Sequence, residues 1–281
     1  MKSLSRFWEE LIESEVSNAD WWERKKVLNE KRNVKIVKVN GRGHIYQRLD
    51  YGLEEKVYYH LHLSILMKQG KHFIREERVI PYEFLLKSGK IIDHRQSEYG
   101  GQEEQLDKLL PDTLKSNSTE RFTYDRRAAV QYAERWWNSY NPEYHKFEVD
   151  CTNYISQCLR AGGAPMRGAP NRNQGWWYSG SNWSYSWAVA HSLRWYLTGS
   201  TQGLKATEVE SPSELQPGDV ICYDFEGDGR WNHNTIVVAM DANGMPLVNA
   251  HTSNSRHRYW SYEDSTAYTP NIQYKFFRIG E

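Results

Sequence analysis

Residues 148–163 read EVDCTNYISQCLRAGG, an acid and a small polar cluster followed by a helical pattern that Gly162 and Gly163 stop. Cys151 falls at the start of that helix. Ile155, Cys158 and Leu159 follow it at spacings of four, seven and eight, which puts all four on one helix face. Burial of the later three would hold the first thiol at the mouth of a site. A helix start offers unpaired N–H groups and a partial positive charge, which favours a thiolate and can hold an oxyanion.

A thiolate nucleophile needs a base. Downstream, WNHNTIVVAM (231–240) places His233 at the head of a β-branched strand, a rigid mount for one. Asp241-Ala242-Asn243-Gly244 then turns the chain, and MPLVNAH (245–251) returns as an antiparallel partner. Asn249 or His251 is the candidate third group, fixing the imidazole tautomer, because residues two apart in a strand share a face. Between nucleophile and base lies NRNQGWWYSGSNWSYSW (171–187), whose aromatic rings suit either a core patch under a loop or the wall of a substrate groove. Trp176, Trp177 and Trp231 are the candidate ring contacts to substrate. Asp150 reads as a helix cap or as a further substrate contact.

The words DCTNYISQCLRAGGAPM, LQPGDVICYDFEGDG, WNHNTIVV and LVNAHTSN, in that order, resemble the amidase domain family of the papain-like cysteine hydrolases, related to the NlpC/P60 and CHAP cell-wall hydrolases. The resemblance spans about residues 122–281. It implies a nucleophilic Cys151, a general base His233 and an orienting residue on the returning strand, Asn249 in preference to His251. It also implies an α+β domain with the nucleophile helix packed on an antiparallel sheet. The activity implied is hydrolysis of an amide or peptide bond through an acyl-thioester, with a peptide or peptidoglycan fragment as substrate. Two alternatives stay open: a glycan- or peptide-binding protein on the same scaffold, and an acyl transferase using the same cysteine and histidine.

The N-terminal part has another texture. Leu4, Trp8, Leu11, Ile12, Val16, Trp22 and Leu28 recur at helical spacing, interrupted by Ser17-Asn18-Ala19-Asp20, so one bent helix or two short ones are expected. From Asn33 the period moves toward two, with turns expected at Asn40-Gly41, Tyr51-Gly52, Gln69-Gly70 and Ser88-Gly89. A helix-plus-meander domain over 1–96, a linker over 97–121 and the amidase-like domain over 122–281 follow from these shifts. Ala129, Tyr132, Ala133, Trp136, Trp137 and Tyr140 open the last of these as a helix that Asn141-Pro142 ends. The N-terminal domain is a candidate for self-association.

Lys plus Arg number 36 and Asp plus Glu 36, so no basic field favours nucleic acid or an anionic membrane. A mean hydropathy of −0.82 argues against membrane insertion. The start MKSLSRFWEELIESEV has acids where a signal peptide needs apolar residues. A cytoplasmic location is therefore expected, with the cell wall open if the start is trimmed or export is non-classical. Cys158 and Cys222 read as inert reduced thiols. No metal or other cofactor is expected: His60 and His62 lack a third ligand at suitable spacing, and Asp224 and Asp228 read as a turn.

Overall fold

The computed structural model describes residues 2–13, 20–97 and 122–280. Val16, Ser17-Asn18-Ala19 and all but Ser97 of the expected linker lie outside them. The chain has α+β architecture and divides into two compact units, one of Met1–Tyr99 with Ser261–Tyr268, the other of Gly100–Trp260 with Thr269–Glu281.

In the first unit two helices, α1 (Lys2–Glu13) and α2 (Asp20–Lys31), precede four strands, β1 (Val34–Asp50), β2 (Glu54–Gln69), β3 (His72–Lys87) and β4 (Lys90–Gln96). The strands form an antiparallel meander. In β2 the alternation is regular: Val57, Tyr59, Leu61, Leu63, Ile65 and Met67 are all buried, while His60 and His62 face the other way. The buried rings keep their polar tips paired. Trp8 Nε1 donates to Tyr59 Oη at 2.8 Å, Tyr59 Oη lies 2.7 Å from His94 Nε2, and Trp21 Nε1 donates to Tyr82 Oη at 3.1 Å.

Asn40-Gly41 is no turn, contrary to expectation. β1 runs through it without a break, Asn40 opposite Ser64 and Gly41 opposite Leu63. Gly41 and Gly43 leave space beside the strand: a Cβ on Gly43 would lie 3.4 Å from Leu4 Cδ2, and one on Gly41 3.4 Å from Leu61 Cδ1. Both line a cavity of about 500 Å³ between α1 and the sheet, with Trp8, Ile12 and Leu63. The turn expected at Ser88-Gly89 does form, with positive φ at both residues (49° and 76°), as a two-residue hairpin loop requires.

Lys25, Glu76, Arg78 and Asp264 form an enclosed ionic group in this unit. Lys25, Glu76 and Asp264 are 0% exposed and Arg78 5%. Lys25 pairs with Glu76 and, at 3.3 Å, with Asp264; Arg78 pairs with Glu76 and with Asp264. Burial opposes the charge of Glu76, but Arg78 and Lys25 hold its carboxyl below the ordinary range.

The second unit is built on an antiparallel sheet in the order β11 (Ser255–Tyr259), β10 (Pro246–Ala250), β9 (His233–Met240), β8 (Val220–Asp224), β12 (Gln273–Ile279) and β7 (Ala206–Val209). Helices α3 (Arg126–Trp136) and α4 (Cys151–Ala161) pack on one face. Ala129, Ile155, Leu159, Cys222, Ile236 and Phe277 share the core between them. A short hairpin, β5 (Tyr178–Ser179) with β6 (Asn182–Trp183), then leads to α5 (Tyr185–Ala188) and α6 (Ala190–Gly199).

α4 is buried on every side from Cys151 to Leu159, although only one face of it is apolar. The aromatic residues make this tolerable by donating to its polar positions. Trp176 Nε1 donates to Ser156 Oγ, Trp187 Nε1 to Asn153 Oδ1 and Tyr132 Oη to Gln157 Oε1, at 2.9, 2.8 and 2.6 Å. α3 ends at Trp136, four residues before the expected stop at Tyr140. Its last carbonyl, Trp136 O, is engaged by Ser139 N and by His251 Nε2, so the i to i+4 ladder cannot continue there.

Candidate active site

Cys151 is the first residue of α4, and the loop ahead of it is held rigidly. Asp150 occupies the N-cap position but does not cap the helix backbone. Its Oδ1 accepts from Phe147 N at 3.0 Å and Asn153 Nδ2 at 2.9 Å, its Oδ2 lies 2.7 Å from His251 Nδ1, and its own N–H donates to Thr252 Oγ1. The Cys151 Sγ lies 3.7 Å from Thr152 Oγ1, which accepts at 3.0 Å from Asn234 Nδ2 on β9. One hydrogen bond thus joins the residue after Cys151 to the residue after His233. Cys151 is 1% exposed, buried where the sequence suggested the mouth of a site, because α4 is enclosed by the sheet and the aromatic loop.

His233 opens β9 opposite Tyr223 on β8. Its ring centroid lies 5.7 Å from that of Tyr223 and 6.0 Å from that of Phe225. Burial, reinforced by Arg258, pushes the imidazole down to about 3. At neutral pH it is therefore uncharged in the resting protein. Burial also pushes the Cys158 and Cys222 thiols up, which leaves both protonated.

Neither Asn249 nor His251 hydrogen-bonds to His233. Asn249 stands opposite Ile236 on β9; Ile236 is three positions on from His233, an odd step, so Asn249 and His233 project from opposite faces. Asn249 Nδ2 donates to Glu134 Oε1 and its Oδ1 accepts from His257 N, both at 2.9 Å. Burial opposes charge on Glu134, yet His257, Arg256 and Asn249 hold its carboxyl down to about 2. His251 lies between Asp150 and Trp136 O at 2.7 Å each, its ring stacked on Tyr154 at 4.0 Å. These two side chains brace α3, β10 and the loop that positions Cys151. Glu134, Thr152, Asn234 and Arg258 escaped the sequence reading; register on β9 and β10 was the signal that could have found Asn234, whose side chain alternates with that of His233.

Trp176 and Trp177 are interior residues, 0% and 2% exposed, and Trp231 is 6% exposed. Asp224 accepts from Gly227 N and Gly229 N, forming a turn. Among the described residues, no group of three His, Cys, Asp or Glu side chains is placed to hold a metal ion, and no helix is long and apolar enough to cross a membrane.

A helix layer packed on an antiparallel sheet makes the second unit an α+β domain. The chain belongs to the family described as "Putative amidase domain", which matches it over residues 123–277. It is 48% identical over 274 residues to "Uncharacterized protein YhbB" of Bacillus subtilis (strain 168), covering 95% of this chain and 88% of that one. It is 30% identical over 140 residues to "Uncharacterized protein YjcM" of the same organism, covering 47% of this chain and 31% of that one. No solved structure matches.

Proposed function

We propose that the protein is a cysteine-dependent amidase or peptidase. The observation that carries this reading is the Thr152–Asn234 hydrogen bond, which clamps the cysteine-headed helix start to the strand headed by His233. Neutral His233 takes the Cys151 proton and the sulfur attacks the amide carbon. N–H groups of the first helical turn hold the oxyanion. Collapse expels the amine, which takes the proton from His233, and leaves an acyl-thioester. Water, deprotonated by His233, releases the carboxylic acid and restores the thiol. Papain-like ancestry and a substrate in peptidoglycan stem peptides are parts of this proposal, supported by the order of the motifs along the chain.

Burial of Cys151 favours a second reading, a binding protein with no turnover. The test is incubation of wild type, Cys151→Ala and His233→Ala with purified peptidoglycan and a peptide-amide panel, scoring new amine ends. Each chain is checked for native folding, and cysteine alkylation is mapped in parallel. The hydrolase reading expects new ends with wild type, a fall of about a thousandfold or more in either variant, and alkylation of Cys151 ahead of Cys158 and Cys222. Full turnover in folded Cys151→Ala would overturn it. A Cys151 no more reactive than the other two thiols, with no new ends on any substrate, would favour the binding protein.

A further inference from the structure

The second unit holds a buried cation that the chemistry above does not use. Arg194, on α6, is 8% exposed, and its Nε and Nη1 are buried without a hydrogen-bond partner. Its guanidinium lies 3.8 Å from the Trp195 ring centroid and 5.2 Å from that of Trp231. Arginine does not shed its proton on burial as lysine does, so the charge stays and asks for a counter-charge.

The surroundings have donors in excess. His191 Nδ1 faces Trp231 N–H at 3.2 Å and its Nε2 faces the Trp195 indole N–H at 3.0 Å. A neutral imidazole has one accepting nitrogen, so one of its ring positions meets an N–H with another N–H. Burial, with Arg194 and Arg230, holds His191 below its ordinary value, and this maintains the neutral form. The carboxylates in range are engaged elsewhere: Glu208 with Lys275, Asp224 with Gly227 and Gly229 N–H, Asp228 with Arg230 N–H.

This cluster borders the proposed active site. Trp231 is two residues ahead of His233 and shares a core with Cys222, which pairs across β8 and β9 with Asn234. Trp195, 50% exposed, forms the outer cover of the guanidinium.

We propose that Arg194, beside the His191, Trp195 and Trp231 group with its surplus of N–H donors, binds a carboxylate of the ligand. The amide presented to Cys151 then belongs to an acidic peptide or an N-acyl amino acid. The role in turnover rests on the hydrolase reading; anion binding at Arg194 does not.

The test uses the full chain carrying Cys151→Ala, titrated with N-acetylglycine, with uncharged N-acetylglycinamide and with inorganic phosphate, followed by indole fluorescence. N-acetylglycine should give a saturable change and its amide none. Arg194→Met, added to the same chain, should weaken N-acetylglycine about tenfold or more, the loss of a charge-assisted hydrogen bond. Arg194→Met exchanges an unpaired buried charge for an apolar chain of similar length, so folding should survive, with a thermal midpoint no lower than the parent's. Arg194→Lys, which keeps the charge, should fall between the two. Phosphate competing with N-acetylglycine supports an anion site; phosphate binding without N-acetylglycine binding overturns the carboxylate assignment. No saturable change with either anion, or equal affinity in Arg194→Met, overturns the proposal. The two readings fail separately: binding at Arg194 in a chain whose wild type turns over nothing removes the hydrolase alone. Turnover that needs Cys151 but is indifferent to Arg194→Met, with no anion bound, removes the subsite alone.

Discussion

His233 and His94 are held uncharged by their surroundings. His233 is pushed down to about 3 by burial and Arg258, and His94, enclosed by Trp8, Tyr59 and Tyr82, to about 4 by burial. In each case the folded value lies below the unfolded one of about 6.5. Between those values the unfolded chain binds protons that the folded chain refuses, so stability is full above about pH 6.5 and falls as pH drops toward 4 and then 3. Urea midpoints measured from pH 7.5 to 4.5 should decline steadily with acid. His94→Gln, which cannot protonate, should flatten that decline while lowering the midpoint at pH 7.5, because Tyr59 loses its ring partner. An unchanged slope in His94→Gln would mean that His94 titrates alike in both states. Both nitrogens of His251 face oxygen, so it works as a brace between Asp150 and the end of α3.

At the scale of elements, the glycines of the first unit divide by backbone conformation. Gly89 has φ +76°, where a Cβ is strained whatever the space, whereas Gly43 sits in extended β1 beside a cavity, its added Cβ in ordinary contact with Tyr59 and closer to Leu4. Gly43→Ala should therefore raise unfolding free energy by about 0.5–1 kcal/mol, and Gly89→Ala should lower it by about 1 kcal/mol, both read from urea unfolding. Loss of stability in Gly43→Ala would show that Leu4 cannot give way. The same contrast explains what was legible in the sequence. The β2 alternation, the hairpin at Ser88-Gly89 and the helix begun at Cys151 are local patterns, and all three are visible in the chain itself. Asn40-Gly41 misleads because a turn-forming pair can also sit inside a strand when both residues find ladder partners, here Ser64 and Leu63. The end of α3 was hidden because His251, 115 residues away, takes its last carbonyl. The positions of Asn249 and His251 depend on register, which a sequence pattern leaves free by one residue, and one residue exchanges the faces of a strand.

At the scale of the whole molecule, the first unit is completed by Ser261–Tyr268, a segment from between β11 and β12. That segment brings Asp264 into the enclosed group of Lys25, Glu76 and Arg78, two cations against two carboxylates. Without Asp264 one positive charge there has no counterpart, and Lys25 is the group to suffer. Burial already lowers its ammonium below the ordinary range, with Glu76 and then Asp264 opposing that shift. Asp264→Asn should therefore destabilise the first unit by about 3–5 kcal/mol, the cost of breaking an enclosed pair. Lys25→Met alone should also destabilise, since it strands a carboxylate. The double variant restores neutrality, with Arg78 facing Glu76, and should recover about 2 kcal/mol or more relative to the sum of the single changes. Urea unfolding of the four chains at pH 7.5, followed by fluorescence of Trp8, Trp21 and Trp22 with the other tryptophans as internal reference, measures this coupling. Strict additivity would mean that the four charges do not act as one group, and that Ser261–Tyr268 is held to the first unit by its other contacts, Arg24 donating to Ser265 O and Lys31 to Glu263.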